Sequence, residues 1–256
     1  MFEITRKVAL ITGAGQRIGR AIALDLARHG WAVGVHYRRS AAEAAEVVAA
    51  IEQQGGRAVA LQADLAHEAE VETLVPALTA AFGPPSCLVN NASLFEDDRI
   101  ETVSRASWDR HLETNLRAPL VLSQAVAAGL PLAEPGCIVN ILDQRVWNLT
   151  PYFLSYTVSK TALWTLTRTL ALALAPRIRV NAIGPGPTLK SERQSEEHFL
   201  AQCLRVPLRH GTTPEEICDC LRFILAAPAL TGQMIALDGG EHLGWAQPAP
   251  GTVPVE

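Results

Sequence analysis

Tyr156-Thr157-Val158-Ser159-Lys160 sets a phenol and an ammonium four residues apart. On a helix that spacing puts both on one face. A free phenol has a pKa of about 10, too high for ready proton exchange near neutrality. A cation beside it stabilises the phenolate and lowers that value. Such a pair can give or take a proton at a reacting atom. The same spacing is common in ordinary surface helices, so the reading needs support from elsewhere in the chain.

The support comes from the first residues. Lys7-Val8-Ala9-Leu10-Ile11-Thr12-Gly13-Ala14-Gly15-Gln16-Arg17-Ile18-Gly19 reads as a short apolar strand, a glycine-bearing turn and a helix start. Gly13 permits the tight turn, and Gly15 and Gly19 permit close approach of ligand or neighbouring backbone. The amides at the N-terminus of the next helix then face a phosphate. Gln16 and Ile18 belong to the same cradle, and Arg17 adds a cation at its mouth. After the next strand come His36-Tyr37-Arg38-Arg39-Ser40. A site for NAD places an acidic residue here to hold the ribose 2′-hydroxyl. Arg38, Arg39 and Ser40 instead suit a phosphate, so NADPH/NADP+ is the expected cofactor.

Short apolar runs at Val8–Ile11, Ala32–His36, Ala58–Gln62, Cys87–Asn90, Cys137–Leu142, Val180–Ile183 and Met234–Leu237 are candidate strands. Between them, helical patterns run over Ile18–His29, Ala41–Gln54, Glu68–Phe82, Arg105–Ala128, Tyr152–Ala175, His198–Leu204 and Pro214–Ala226. This alternation predicts βαβ crossovers, hence a single-domain α/β Rossmann-type doubly wound parallel sheet of about seven strands with helices on both faces. The expected domain is 1–246, followed by a proline-rich tail over 247–256. Ligands bind beyond the carboxyl ends of such strands. There Asp64 and Leu65 would meet the adenine. Asn91, Ala92 and Ser93 follow the fourth strand near the ribose, and Pro185 and Gly186 follow the sixth near the nicotinamide. The segment 184–209 is long for a connection and is a candidate lid.

Composition narrows the classes. The chain has 256 residues, 48% of them hydrophobic, and a net charge of -4 with no basic run, which argues against nucleic-acid binding. No stretch reaches membrane-spanning length. No apolar run precedes Lys7, so no signal peptide is expected. Five cysteines without framework spacing suit a reducing, cytoplasmic setting. His67, His111, His198, His210 and His242 lack metal-ligand spacing, so no metal is expected.

With Thr12-Gly13 through Gly19, Asn90-Asn91-Ala92, Asn115 and Pro185-Gly186, the chain resembles the short-chain dehydrogenase/reductase family from Lys7 to about Leu243. The resemblance implies that Tyr156 is the acid, that Lys160 also binds the nicotinamide ribose, and that Asn115 holds a water connecting Lys160 to solvent. It also implies a homotetramer. Two departures from the family pattern stand out: Arg17 replaces a glycine of the turn, and Asp143 replaces a serine. Both resemble the pteridine reductase branch, which includes dihydromonapterin reductases. So do His36 to Ala42, Asn91-Ala92-Ser93-Leu94-Phe95 and Val206-Pro207-Leu208. By that resemblance Arg17 contacts cofactor phosphate and pterin, Ser93 lines the substrate site, and Phe95 stacks on the pterin.

An aromatic platform suits a flat pterin. Asp143 would bind its amino-pyrimidine edge, assist the proton donor, or stand in for the serine as a plain hydrogen-bond partner. Trp147, four residues on, is a candidate wall of the site or a core side chain. Arg145, Tyr152, Leu189 and Trp245 carry weaker signals of the same kind. The sequence therefore points first to an NADPH-dependent reductase of a pteridine C=N bond. A reductase of a ketone, sugar or acyl thioester is the second reading. A non-catalytic NADP(H)-binding regulator is the third, and the intact Tyr156, Lys160 and Asn115 set speaks against it.

Overall fold

The computed structural model describes residues 4–191 and 194–244. The tail over 247–256 and Trp245 lie outside the described residues. Seven strands run in order: β1 (Val8–Ile11), β2 (Ala32–Tyr37), β3 (Arg57–Gln62), β4 (Cys87–Asn90), β5 (Gly136–Ile141), β6 (Ile178–Pro185) and β7 (Met234–Leu237). They form one sheet in the order β3-β2-β1-β4-β5-β6-β7. Every neighbouring pair is parallel. The strand order reverses between β1 and β4, which opens a crevice at their carboxyl ends.

The helices are α1 (Arg17–Arg28), α2 (Ala41–Gln53), α3 (Glu68–Phe82), α4 (Arg105–Leu112), α5 (Ala118–Gly129), α6 (Leu154–Leu174), α7 (Glu196–Arg205) and α8 (Pro214–Ala226). Alternation along each strand builds two cores, because successive side chains point to opposite faces. Ala9, Ile11, Val89 and Val139 pack with Ile22 and Leu26 of α1, Val47 and Ile51 of α2, and Leu221 of α8. Leu10, Leu88, Ile138 and Val180 pack with Leu74 and Leu78 of α3, Leu122 of α5 and Ala171 of α6. Each strand is thus apolar on both sides, as a sheet covered by helices requires. No described helix is long and apolar enough to cross a membrane.

Two boundaries differ from the sequence reading for a physical reason. β6 runs on to Pro185, because Pro185 pairs with Leu237 of β7. The helix expected over Arg105–Ala128 is interrupted by a π-type turn at Glu113–Arg117. That turn carries Asn115, whose side chain bonds both backbone groups of Leu94: it accepts from Leu94 N at 2.7 Å and donates to Leu94 O at 2.9 Å. π-type turns inside helices recur at functional sites. The segment 184–209 is also not one long loop: β6 takes its start, and α7, capped by Ser195, takes its end.

Candidate active site

The glycine turn after β1 is built to leave donors exposed. Gly13 has φ +64°, and a Cβ on Gly19 would fall 2.2 Å from Gly13 O. Only hydrogen fits there. Gln16 precedes α1 without a side-chain cap, and the first turn of α1 holds no acidic residue. Its leading amides are therefore available to an anion. Arg17 is left-handed at φ 53°, a conformation that disfavours a side chain by roughly 1–2 kcal/mol. Its guanidinium donates to Leu189 O at 3.0 Å and Lys190 O at 2.8 Å, tying the turn to the segment after β6.

A cavity of about 670 Å³ extends from this turn. Gly15, Gln16, Ile18, Arg38, Arg39 and Ser40 line it on one side, and Asp64, Leu65, Asn91, Ala92 and Ser93 on the other. Arg38 and Arg39 are exposed at its rim. These groups fit a dinucleotide bearing an extra phosphate: free helix amides for the pyrophosphate and two guanidinium forks beyond them.

His36 braces the turn from within. It is 2% exposed. Its Nδ1 accepts the Gly13 N–H at 3.0 Å, so the proton sits on Nε2, 3.1 Å from Ala63 O. Burial pushes its pKa down to about 4. Below the ordinary value of about 6.5 the unfolded chain takes up a proton that the folded chain refuses until about pH 4. Stability is therefore lost as pH falls from about 6.5 toward 4. We expect this residue alone to remove about 2 kcal/mol between about pH 7 and pH 5. Urea unfolding of wild type and His36→Asn at both pH values checks it: the variant starts less stable but loses that slope, and equal slopes would refute the account.

A second cavity of about 460 Å³ adjoins the first, and Arg17, Ile18, Asn91 and Ser93 line both. Phe95, Asp143, Tyr156, Lys160, Pro185 and Gly186 line the second. Asp143 follows β5 and accepts twice: from Arg145 N at 2.9 Å and from the Tyr156 hydroxyl at 2.7 Å. Lys160, 2% exposed, donates to Ile141 O at 2.7 Å and stands 5.8 Å from the Tyr156 ring centroid. Asn115 donates to Ser159 Oγ at 3.0 Å and, through its clamp on Leu94, holds the loop after β4 against α6. Among the described residues no hydrogen bond joins it to Tyr156 or Lys160.

The expected lowering of the Tyr156 pKa by Lys160 is corrected. Burial, then the charge of Asp143 and its hydrogen bond, push that pKa well above the ordinary value. Burial in turn pulls Lys160 down to about 8. The charge nearest the phenol is a carboxylate, and its repulsion of a phenolate adds to the effect of burial. The Tyr156 hydroxyl is thus protonated and donates to Asp143.

The aromatic group is larger than the sequence suggested. Phe95 stacks on Phe153 with centroids 4.4 Å apart and presents an edge to Tyr156 at 4.6 Å. Arg145 lies over both phenyl rings, at 5.2 and 4.9 Å. Phe153 went unremarked in the sequence; its place just before α6 was the available signal. Asp98 was missed too. It is 3% exposed and anchors the start of α6 through Ser155 N at 2.9 Å and Leu154 N at 3.0 Å. It thereby sets where Tyr156 stands, from fifty-eight residues away, with no local signal.

Trp147 does not wall the site. A tight turn over Gln144–Val146 carries its side chain outward, where it is 44% exposed and packs on Trp164 at 6.3 Å and His242 at 5.3 Å. Tyr152 also lies outside the cavity, under the Arg99 guanidinium at 4.5 Å. Leu189 does line it. Among the described residues no group of His, Cys, Asp or Glu is placed to hold a metal ion.

Comparison with known proteins bears on this geometry. The pattern of the short chain dehydrogenase family matches residues 7–199. FolM alternative dihydrofolate reductase 1 from Brucella canis, complexed with NADP, is 47% identical, covers 99% of this chain and 100% of its own, and superposes with a TM-score of 0.92. The Brucella suis protein of the same name, also with NADP, is 48% identical over 96% of this chain and 98% of its own, with a TM-score of 0.92. A 3-oxoacyl-[acyl-carrier-protein] reductase from Synechocystis is 34% identical over 94% of this chain and 98% of that protein.

Proposed function

The chain belongs to the short-chain dehydrogenase/reductase family, and from that premise we propose that it is an NADPH-dependent reductase of a pteridine C=N bond. NADP(H) is its cofactor, in keeping with the NADP complexes of its relatives. The glycine turn and first turn of α1 would take the pyrophosphate, Arg38, Arg39 and Ser40 the 2′-phosphate, and Lys160 the nicotinamide ribose. When bound, NADPH supplies the hydride.

The observation that carries the reading is Asp143 at 2.7 Å from the Tyr156 hydroxyl, beside the Phe95 ring. Reduction of a ketone and of a C=N bond each end with one proton delivered to the heteroatom. A ring nitrogen is the more basic of the two, and a carboxyl group coupled to the donor suits it by making good the proton that the phenol gives up. Tyr156 starts protonated, because burial and Asp143 both oppose the phenolate. Delivery of its proton therefore calls for compensation, and two sources line the same cavity: a proton taken up by Asp143, or the Lys160 cation. The Phe95 and Phe153 rings with Arg145 stiffen an aromatic wall against which a flat heterocycle can lie.

The test is NADPH oxidation with 7,8-dihydrobiopterin, dihydromonapterin, dihydrofolate and an acetoacetyl thioester. Turnover of at least one pterin, in preference to the thioester, is the expected result. A carbonyl reductase is the competing reading, and the likeness to 3-oxoacyl-[acyl-carrier-protein] reductases favours it. Activity confined to the thioester would establish that alternative; cofactor binding without any turnover would leave a regulatory protein.

A further inference from the structure

We propose that Glu241 sets substrate specificity: its carboxylate accepts hydrogen bonds from N–H groups of the bound heterocycle. The inference rests on the pteridine reading and adds the residue that recognises the donor edge of the substrate.

Glu241 opens the short turn Glu241–Leu243 after β7 and lines the cavity of Asp143 and Tyr156. Its backbone is fixed: N donates to Asp238 O at 3.1 Å, and O accepts from Asn148 Nδ2 at 3.1 Å. Its carboxyl makes no hydrogen bond or ion pair among the described residues. Asp238 beside it is already engaged, by His242 and Gly240 N. The Glu241 carboxyl is thus a cavity-lining acceptor that no described protein donor engages, and a ligand that supplies N–H groups satisfies it. Burial and the Asp143 carboxylate push the Glu241 pKa up to about 7, against the pull of Arg145. An N–H donor would relieve this strain as well. The amino and ring N–H groups of a reduced pterin answer that acceptor. The reacting end of a ketone or thioester brings only acceptors and would leave it unpaired.

The experiment measures biopterin binding to NADP+-loaded enzyme by protein fluorescence, and 7,8-dihydrobiopterin kinetics, for wild type, Glu241→Ala and Glu241→Gln. Alanine should raise the biopterin Kd and the dihydrobiopterin KM at least tenfold, with kcat within threefold and NADP+ affinity unchanged. Glutamine keeps one acceptor oxygen and should fall between. Constants within twofold of wild type in both variants would overturn the Glu241 assignment and leave the pteridine reading standing. A wild type that binds biopterin but reduces none of the three dihydropteridines would overturn the activity, while the Kd series still decides Glu241. No biopterin binding would overturn the Glu241 assignment and, with no turnover of any of the three, the pteridine reading as well.

Discussion

Tyr156→Phe should lower kcat for the pterin at least a hundredfold while leaving the NADPH Kd within about twofold. The substitution removes one oxygen and keeps the ring that packs edge-on against Phe95. A positioned general acid contributes typically 10²–10⁴-fold in rate. Lys160 is held by Ile141 O and not by the phenol, so the cofactor side of the site is undisturbed. Steady-state kinetics and a cofactor titration on the same preparation check both halves. A fall of less than about tenfold in kcat would mean that Asp143 delivers the proton itself, and that Tyr156 only orients it. Asp143→Asn then separates the roles. It keeps an acceptor for the Tyr156 hydroxyl but removes the charge that opposes the phenolate. If the carboxyl only orients the phenol, this variant retains most of its rate; if it relays the proton, the loss matches that of Tyr156→Phe.

Arg39→Glu should weaken NADPH binding roughly 30- to 100-fold and NADH binding less than about threefold. Arg39 is exposed at the rim of the larger cavity, where a guanidinium fork matches a phosphate in shape and charge. Reversing its charge adds repulsion to the lost bonds, and a charge-assisted pair of this kind contributes about 2–3 kcal/mol. NADH lacks the phosphate and should hardly sense the change. Fluorescence titration with both nucleotides reads the ratio directly. Equal losses would place the 2′-phosphate elsewhere, and loss of both by more than about tenfold would point to damage at the glycine turn. Arg38 gives the control: Arg38→Glu tested alone shows which of the two forks makes the contact.

Much of the architecture was legible in the chain because local rules and the fold agree. β1, β4, β7, α3 and α8 lie within the same bounds that the apolar periods gave. For α8 the reason is explicit: Thr213 and Glu216 form a capping box that halts the backbone where the pattern begins. The glycine turn was legible for the same kind of reason, since Gly19 leaves no room for a Cβ and Gly13 takes a left-handed φ that favours glycine. Arg17 was visible as an exception, and its left-handed φ shows why glycine is usual at that place.

What sequence fixed by itself is the set of chemical groups and the period of the elements that carry them. Thr12 to Gly19, Arg38, Arg39, Tyr156 and Lys160 mark a candidate phosphate-binding turn and a candidate proton donor, because spacing along one strand or helix determines direction. Only the folded chain decided which groups meet across distance. Trp147 turned outward on a tight turn that no period announces. Phe153 came to rest on Phe95, fifty-eight residues away in the chain. Burial, and then Asp143 rather than Lys160 as the charge bonded to the Tyr156 hydroxyl, reversed the direction of its pKa shift. The reason is one of range. Propensity and period act over a few residues, whereas burial and Coulomb interactions depend on separation in space, which the sheet and its crossovers set.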